Sequence, residues 1–368
     1  MVKKKILIIL PNLESGGAER LAVSLANEWN SMGYEIEFGL LKKSGKFIDL
    51  IDRGVVVHDL NSPKLRSSIF PLYKLFKIAR PDVIWSGLWP LTAITIISWI
   101  MAGKKGSLFT IDHNQLSIST IKALNFPRFL LKIITRATYP MATGNMAVAE
   151  GVKRDLVQLT ALPDTSVKVI YNPAARGIGF RSKSSDQIKE KLWGSNPGKC
   201  ILSAGSFKEQ KNFKLLIESF NLLLSEIKST LIILGDGELR SDLEQQIFDL
   251  GLEARVSLPG FTEDPSPWFL SADVFVLSSN WEGLPTVLIE ALDCGLPVVS
   301  TDTPTGPSEI LEGGTWGKLV PPNDSNALVN GIKESLSTAH DRQALIRRAD
   351  EFSVKNISLK YLDYFELL

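Results

Sequence analysis

The chain has 368 residues, 44% of them hydrophobic and 22% charged, and its 41 basic and 40 acidic residues give a net charge of +1. This length fits two domains of about 180 residues, each large enough to bury its own hydrophobic core. The balanced charge argues against a general nucleic-acid binder, which needs a dominant basic field. The two cysteines, Cys200 and Cys294, have no metal-ligand spacing, so we expect buried free thiols in a reducing compartment.

No apolar segment is long enough to cross a membrane. The first apolar run, 6–10, is too short for a signal peptide. The longest one, 88–102, contains Pro90 and falls short of the roughly twenty residues that a spanning helix needs. These features predict a cytoplasmic protein and leave peripheral contact with the membrane open.

Short apolar runs alternate with helix-length amphipathic segments, a pattern typical of doubly wound parallel sheets. The predicted strands are 6–10, 36–41, 55–57, 83–86, 108–111 and 147–149, followed by 200–204, 230–234, 256–258, 274–277, 297–301 and 318–320. Between the two series, 174–199 is rich in Ser, Gly and charge and predicts a linker leading into a helix, and 341–368 predicts a terminal helix. The predicted fold class is α/β, with two Rossmann-like domains that face a central cleft, where loops at the carboxyl ends of the strands bind ligands.

The first predicted strand leads into a turn that contains Gly16 and Gly17. Paired glycines let a backbone approach a ligand closely before a helix begins. The turn lacks the G-x-G-x-x-G pattern of dinucleotide-binding proteins. A tight strand-to-helix turn without a ligand explains the glycines equally well.

His113 is one of three histidines and follows the predicted strand 108–111. A single histidine is more often structural than functional, but its place at the carboxyl end of a strand favours a role in binding. The three histidines are scattered, and no Asp-x-Asp motif stands at a strand end, so we expect no metal site.

Two glutamates, Glu282 and Glu290, bracket the passage from the predicted strand 274–277 into a helix that Pro285 begins at its first position and Gly295 ends. The N–H groups at such a helix N-terminus bind phosphate, and carboxylates bind sugar hydroxyls. Taken alone, two glutamates eight positions apart are more often ordinary solvated residues.

The full string resembles the E-x7-E signature of the retaining glycosyltransferases of family 4, which have the two-domain GT-B architecture. The resemblance spans nearly the whole chain. It includes Ser15-Gly16-Gly17-Ala18-Glu19-Arg20, Asp112-His113-Asn114, Val169-Ile170-Tyr171-Asn172-Pro173, Lys211-Asn212, Gly235-Asp236-Gly237 and Gly306-Pro307-Ser308-Glu309.

The resemblance implies a nucleoside diphosphate sugar as the donor, no cofactor, and specific roles for individual residues. Glu290 is expected to bind the ribose, Glu282 the donor sugar, and the loop Gly283-Leu284-Pro285-Thr286 together with Lys211 and Gly17 the diphosphate. Phe261 is the candidate beside the nucleobase, His113 contacts the donor sugar, and Glu282, His113 and Lys211 are the candidate catalytic residues. Gly16, Arg20, Asp112 and Asn114 are the candidates for acceptor binding.

One position departs from the family pattern. Ser206, a candidate for donor binding, stands where the family commonly has an arginine after the glycine. Lys208, also a donor-binding candidate, or the helix N-terminus after Gly283 is the candidate substitute for that charge. Gly235-Asp236-Gly237 suits a phosphate loop, but a simple turn and helix start is the better interpretation.

The resemblance also implies the domain boundaries. The predicted acceptor domain covers 1–175, the donor domain 176–345, and a C-terminal helix, 346–368, crosses back to the first domain.

Two segments, 64–80 and 126–136, interleave basic and apolar residues. A helix packed on the core with a solvated basic face explains each segment. Attachment to an anionic membrane, or contact with a lipid diphosphate acceptor, explains them equally well.

These observations predict a retaining, metal-independent glycosyltransferase that moves a hexose or N-acetylhexosamine, most simply from a UDP-sugar, to a hydroxyl of a lipid-linked acceptor in cell-surface glycan synthesis. The resemblance favours front-face displacement, with the leaving phosphate oxygen accepting the proton. The alternatives are a GT-B nucleotide-sugar epimerase or hydrolase and a non-catalytic sugar-nucleotide-binding subunit, and a dinucleotide dehydrogenase is disfavoured by its missing fingerprint.

Overall fold

A computed structural model describes residues 3–14, 16–62, 64–124, 126–181 and 186–368, with the backbone alone at 121–124, 180–181 and 186. Ser15 and residues 182–185 of the predicted linker therefore lie outside the described residues. The chain forms two compact units, Met1–Pro173 with Val354–Leu368, and Ala174–Ser353.

The first unit is built on a parallel sheet of seven strands in the order β3-β2-β1-β4-β5-β6-β7. The strands are β1 (Lys5–Leu10), β2 (Glu35–Leu40), β3 (Val56–Asp59), β4 (Val83–Gly87), β5 (Ser107–Asp112), β6 (Gly144–Ala147) and β7 (Val167–Val169). Its helices are α1 (Gly17–Ser31), α2 (Ile69–Ala79), α3 (Leu91–Met101), α4 (Leu116–Leu124), α5 (Arg128–Thr138) and α6 (Glu150–Thr160). The central strand β1 is a continuous apolar run, buried from Ile6 to Leu10, because helices cover both faces of the sheet.

The edge of this sheet differs from the prediction. The strand predicted at 147–149 lies at Gly144–Ala147, and the strand β7 was not predicted. Gly and Asn have low strand propensity, so β6 depends on its pairing with β5, where Thr110 Oγ1 donates to Asn145 Oδ1 at 2.8 Å. The strand β7 has only three residues, too few to give an alternating pattern.

The second unit contains a parallel sheet of six strands in the order β10-β9-β8-β11-β12-β13. The strands are β8 (Lys199–Ala204), β9 (Ser229–Leu234), β10 (Val256–Gly260), β11 (Val274–Leu277), β12 (Val298–Thr301) and β13 (Lys318–Val320). Its helices are α7 (Ile178–Arg181), α8 (Asp186–Trp193), α9 (Phe213–Leu224), α10 (Arg240–Asp249), α11 (Ser266–Ser271), α12 (Thr286–Asp293), α13 (Pro307–Ile310), α14 (Ser325–Ser337) and α15 (Arg342–Asp350). A buried core of aliphatic and phenylalanine side chains joins this sheet to α9, α10 and α14.

The predicted single terminal helix is two helices. The first is α15, which Asp341 caps through the N–H groups of Gln343 and Ala344, and the second is α16 (Val354–Tyr364). The break falls where Ser353 pairs with Ala175 in an isolated bridge and the carbonyl of Phe352 accepts hydrogen bonds from two successive N–H groups. The helix α15 packs on α12 in the second unit, whereas α16 belongs to the first, so the returning segment begins at Val354 and not at 346.

Aromatic packing holds α16 in the first unit. The ring of Trp29 on α1 meets Tyr361 and Phe365 edge-on, with centroids 5.9 Å apart in both pairs. Trp85 on β4 packs against Tyr361 with a centroid separation of 5.8 Å. Such edge-to-face pairs add to the stability gained from burying the rings.

Both cysteines are free and buried, and burial raises the pKa of each thiol to about 12. Across the described ranges, the structure contains no helix with the length and hydropathy needed to cross a bilayer.

Candidate active site

The loop 278–285 connects β11 to α12 at the carboxyl edge of the second sheet. Glu282 lies in this loop, Glu290 in the second turn of α12, and Gly295 follows the helix with a φ of +68°. Pro285 was predicted at the first helical position, but its ψ of 87° keeps it outside the helix. Pro285 is instead the residue before the helix, where its carbonyl accepts the N–H of Leu288 at 3.0 Å.

The carboxylate of Glu282 is buried in a network of donors. Lys211 Nζ lies 2.6 Å from Oε1, and the exposed fractions of the Lys211 and Glu282 side chains are 17% and 5%. Ser279 Oγ donates to the same oxygen at 2.6 Å, and Gln210 Nε2 donates to Oε2 at 3.2 Å. Two residues that the sequence assigns to different parts of a donor thus form one ion pair.

The backbone of this loop is held from a second side. Thr305 Oγ1 donates to the carbonyl of Glu282. Gly306 has a φ of +90°, and a Cβ there would lie 2.4 Å from the carbonyl oxygen of Gly283. Only glycine therefore fits beside the loop, which explains why a glycine precedes Pro307 in the sequence.

The N–H groups of Gly283, Leu284 and Thr286 have no acceptor within the described part of the chain. They lie at the N-terminus of α12, where the helix dipole concentrates partial positive charge. This geometry suits an anion.

The loop after β8 carries Ser206, Lys208 and Lys211. Ser206 and Lys208 are exposed, and Lys208 lines a pocket of about 350 Å³ with Phe207, Asn212 and Glu238. Lys211 ends a short 3-10 turn and points instead to Glu282, while its carbonyl accepts Ser278 Oγ at 2.9 Å. The structure thus brings Lys211, and not Lys208, to the glutamate loop.

Gly235 and Gly237 support this loop by close packing. The N–H of Phe207 donates to the carbonyl of Asp236 at 2.9 Å. A Cβ at Gly235 would lie 1.9 Å from the carbonyl oxygen of Gly205, and one at Gly237 would lie 2.7 Å from the backbone of Phe207. This packing accounts for both glycines, as the turn interpretation requires.

Glu290 and Phe261 lie at the same edge of the sheet. Glu290 lines a small cavity with Asp293, also on α12, and with Pro265 and Ser266, which follow the loop after β10. Phe261 comes directly after β10, and 69% of it is exposed. An exposed aromatic ring and a partly buried carboxylate are groups that recognise a nucleoside.

Asp112 ends β5 in the first unit and is buried, with 2% exposure. Tyr139 Oη donates to its Oδ1 at 3.1 Å, and Oδ2 has no partner within the described residues. Burial raises the pKa of Asp112 to about 7, with a smaller contribution from the charge of Asp155. With only 2% of the residue exposed, this carboxyl is not accessible to an acceptor in this structure.

His113 is half-buried, and burial lowers its pKa to about 4, an effect that the Asn172 side chain partly offsets. The imidazole is therefore neutral at pH 7. Its Nδ1 and Oδ1 of Asn172 are both buried and have no partner in the described ranges. Asn172 is part of a motif to which the sequence assigns no role, and the structure brings it to His113.

The turn after β1 leaves its glycines in different surroundings. A Cβ at Gly17, the first residue of α1, would meet nothing within 4 Å, whereas a Cβ at Gly16 would lie 2.0 Å from Oε2 of Glu19. Arg20 and Asn114 are exposed. Gly17 thus has the open approach that a ligand needs, whereas the Glu19 carboxylate lies over Gly16.

Sequence reasoning missed four residues that hold the glutamate loop, namely Gln210, Ser279, Thr305 and Gly306. Only Gly306, within the Gly-Pro-Ser-Glu motif, left a local signal. Within the described residues, no three His, Cys, Asp or Glu side chains are grouped in a way that could hold a metal ion.

Comparison with known proteins agrees with this architecture. The family model described as "Glycosyltransferase Family 4" matches residues 15–174, and that described as "Glycosyl transferases group 1" matches residues 184–352. A Campylobacter jejuni relative, N-acetylgalactosamine-N,N'-diacetylbacillosaminyl-diphospho-undecaprenol 4-alpha-N-acetylgalactosaminyltransferase, is 30% identical over 98% of this chain and 99% of its own length. The amylovoran biosynthesis glycosyltransferase AmsD of Erwinia amylovora is 26% identical, with 84% of each chain covered.

Solved structures agree with the fold. Anabaena HepE in complex with UDP and glucose superimposes with a TM-score of 0.79 at 23% identity, covering 99% of this chain and 100% of HepE. A glycosyltransferase from Rickettsia africae gives a TM-score of 0.81 at 18% identity, covering 100% of this chain and 98% of its own. With two parallel-sheet units and full-length relatives, the chain belongs to the family 4 glycosyltransferases and has the GT-B fold.

Proposed function

We propose that this protein transfers a hexose or N-acetylhexosamine from a UDP-sugar to a hydroxyl of a lipid-linked glycan, with retention of anomeric configuration and without a metal ion. The observation that carries the proposal is the buried pair of Lys211 and Glu282 beside the N-terminus of α12. This arrangement places a cation, unpaired N–H groups and a fixed carboxylate at one edge of a sheet. A diphosphate and a sugar need these three kinds of group.

Lys211 is the proposed ligand of the leaving diphosphate. Its ammonium has three N–H donors, of which Glu282 takes one at 2.6 Å, so two remain for phosphate oxygens. Negative charge grows on the diphosphate as the sugar leaves, and donors fixed in advance stabilise that charge without reorganising. The N–H groups of Gly283 and Leu284 supply further donors from the same loop, and Pro285 and Thr286 continue it into the helix.

Glu282 is the proposed ligand of the donor sugar hydroxyls. An ionised carboxylate only accepts hydrogen bonds, and three donors from Lys211, Ser279 and Gln210 fix its orientation. The remaining lone pairs are available to hydroxyl groups. Glu290 is proposed to bind the ribose, and Phe261 the base.

For the chemical step we propose front-face displacement. The bond from C1 of the sugar to the diphosphate oxygen breaks, and the acceptor oxygen bonds to C1 on the same face. The acceptor's proton passes to the leaving phosphate oxygen, so no protein base is required. The low pKa of His113, about 4, fits a neutral contact to the donor sugar better than a general base.

Acceptor contacts are proposed from the first unit, through Gly16, Arg20 and Asn114, and Gly17 is proposed to approach the diphosphate. Asp112 was predicted in the same group, but it is buried and its carboxyl accepts from Tyr139, so we do not propose it as an acceptor ligand.

The relatives' names support the chemical classes. Anabaena HepE was solved with UDP and glucose, and the C. jejuni relative is named for an α-linked transfer to a diphospho-undecaprenol glycan. Transfer from an α-linked donor to an α product is retention. With a lipid-linked acceptor, we propose that this protein works at the inner face of the cytoplasmic membrane.

The test begins with a thermal-shift screen of nucleoside diphosphate sugars, because a ligand at about 100 times its Kd stabilises the folded protein by roughly 2.7 kcal/mol. The best donor is then incubated with undecaprenyl-diphosphate-linked sugars, and the anomeric configuration of the product is read by NMR. An α product that forms only when acceptor is present is the expected result. Free sugar without acceptor would indicate a hydrolase, and binding without any turnover would indicate a non-catalytic subunit.

A further inference from the structure

Positive charge is concentrated in one quarter of the chain. Residues 60–149 contain eleven Lys and Arg but only two acidic residues, a net charge of +9, so the remainder carries −8 in a chain whose total is +1. Neither acid opposes this charge. Asp82 bonds Lys4 Nζ at 3.1 Å and accepts the N–H of Lys5 at 2.9 Å, and Asp112 is buried.

The segment 60–149 includes three neighbouring helices of the first unit, with α3 packed between α2 and α5. All three belong to crossovers that run toward β7 in the strand order, so they cover the same face of the sheet. Their outer sides therefore form one continuous surface.

The outer side of α5 carries exposed apolar side chains among its basic ones. Leu131, Thr135 and Thr138 are its buried residues, yet Phe129 and Ile133, one turn apart, are 64% and 60% exposed. An amphipathic helix with one face on the core normally exposes polar residues on the other. This helix instead has two large apolar side chains in solvent, with Lys132 between them in the sequence.

The helix α2 repeats the pattern. Leu72, Leu75, Phe76 and Ala79 face the core, while Phe70 and Ile78 are 59% and 79% exposed. The ammonium of the exposed Lys74 lies 5.8 Å from the centroid of the Phe70 ring. Basic and apolar side chains thus alternate on both outer helices.

We propose that this docking face, defined by Phe70, Lys74, Ile78, Phe129, Lys132 and Ile133, binds the surface of an anionic lipid bilayer. The basic residues attract acidic headgroups, and the exposed rings and aliphatic chains enter the boundary between headgroups and acyl chains. A nucleic acid would satisfy the charges but would leave Ile78 and Ile133 exposed. The bilayer accounts for both kinds of residue.

The first test is co-sedimentation of the full chain with vesicles. Vesicles of equal parts phosphatidylglycerol and phosphatidylcholine should bind at least tenfold more tightly than pure phosphatidylcholine vesicles, and 0.5 M NaCl should remove most of that difference. Equal binding to both vesicles, or none to either, would overturn the proposal. So would a DNA or RNA oligonucleotide that binds as tightly as the acidic vesicles.

Two pairs of variants locate the face. Lys74→Ser/Lys132→Ser should weaken binding to the acidic vesicles about 25-fold, since each basic residue near such a surface contributes roughly fivefold. The control is Lys355→Ser/Lys360→Ser, which removes the same charge from exposed positions of α16. If a charge must lie close to the lipid to contribute, this control should change binding to the acidic vesicles less than about threefold. Equal losses in the two charge pairs would mean that only net charge matters and would refute the assignment of this face.

The apolar residues have their own control. Phe129→Ser/Ile133→Ser should weaken vesicle binding at least tenfold, whereas Phe248→Ser/Leu250→Ser should not. Phe248 is 66% exposed, as Phe129 is 64% exposed, but it lies in the second unit. Unchanged vesicle binding by the Phe129 and Ile133 variant would refute insertion of these side chains.

UDP binding by calorimetry separates this inference from the proposed function. None of the docking-face residues is placed at the donor site, so all variants should bind UDP as the wild type does. Vesicle binding without any sugar transfer would refute the proposed function and support the docking face. Sugar transfer without binding to acidic vesicles would support the proposed function and refute the docking face.

Discussion

Lys211 Nζ lies 2.6 Å from Glu282 Oε1, and both side chains are largely buried. The cation proposed for the diphosphate and the carboxylate proposed for the sugar therefore hold each other in place before any donor binds. Neither can be removed without disturbing the other.

The pair predicts strong coupling in a double-mutant cycle. Lys211→Met should lower kcat about 100- to 1,000-fold, because a preorganised charge partner of the leaving group is lost. Glu282→Gln should also lower kcat, with less effect on UDP affinity. Because the two residues act as a unit, the double variant should lose far less than the product of the single losses. Fully additive losses would show that they act independently.

The free energy of unfolding gives a second test of the buried pair, with an exposed ion pair as the control. Lys211→Met leaves a buried carboxylate without its cation, which typically costs about 3 to 5 kcal/mol. Lys214→Met breaks a similar pair with Asp242, but there the side chains are 53% and 55% exposed, so less than about 1 kcal/mol is expected. Urea unfolding of both variants measures the contrast.

Glu290→Ala should weaken UDP and UDP-sugar binding together, by about ten- to a hundredfold, because the ribose is common to both ligands. Calorimetry with each ligand measures this. Glu253→Ala, at an exposed position, is the control and should bind both ligands normally. Undiminished UDP binding by the Glu290 variant would remove Glu290 from the ribose.

The sequence predicts the two sheets well because parallel strands covered on both faces are continuous apolar runs, as in Ile6 to Leu10. Prediction from apolar runs fails where a strand forms only because it pairs with a neighbouring strand. Gly144 and Asn145 have little strand propensity of their own and pair only because β5 lies beside them. Pro285 shows a smaller failure, since its φ suits a helix but its ψ of 87° does not.

The candidate site also has a part that the sequence predicts and a part that it does not. Glu282, Lys211 and Glu290 stand in loops or helices directly after apolar strands, so their position at the carboxyl edge follows from the sequence. The contacts that hold Glu282 in place could not be predicted in this way. Lys211 and Gln210 are 71 and 72 positions from Glu282, and contacts across such distances leave no local pattern.

The raised pKa of Asp112 predicts that the stability of the folded protein depends on pH. Its pKa is about 7 in the folded protein and 3.8 ordinarily, so between about pH 4 and pH 7 the folded state keeps a proton that the unfolded state releases. The free energy of unfolding of the wild type should therefore fall, relative to Asp112→Asn, as pH rises through this window, by up to about 4 kcal/mol. The opposite effect of His113, whose pKa is lowered, is present in both proteins and cancels.

Urea unfolding at half-unit pH steps measures this difference. Tyr139→Phe removes the hydrogen bond that lowers the pKa of Asp112, so it should move the upper end of the window above pH 7. A difference between wild type and Asp112→Asn that is constant from pH 4 to pH 8 would contradict the assignment.

Transfer activity should survive chelation, because the leaving diphosphate is assigned to Lys211 and the N-terminus of α12. Activity is measured in 5 mM EDTA and again after excess magnesium or manganese, with about the same rate expected in each. Loss in EDTA that either metal restores would mean that the diphosphate needs a metal ligand.

Ser206→Arg should raise kcat severalfold. Ser206 is exposed and follows Gly205, where a Cβ would lie 3.1 Å from Cε of Lys211. The backbone next to residue 206 therefore passes close to the Lys211 side chain, within reach of a long arginine. A guanidinium there would add a second cation for the diphosphate, where Lys208 instead lines a separate pocket. Ser206→Met has similar reach without charge and should leave kcat near the wild-type value. If the arginine variant is no faster than the methionine variant, Lys211 and the helix N-terminus already suffice for the leaving group.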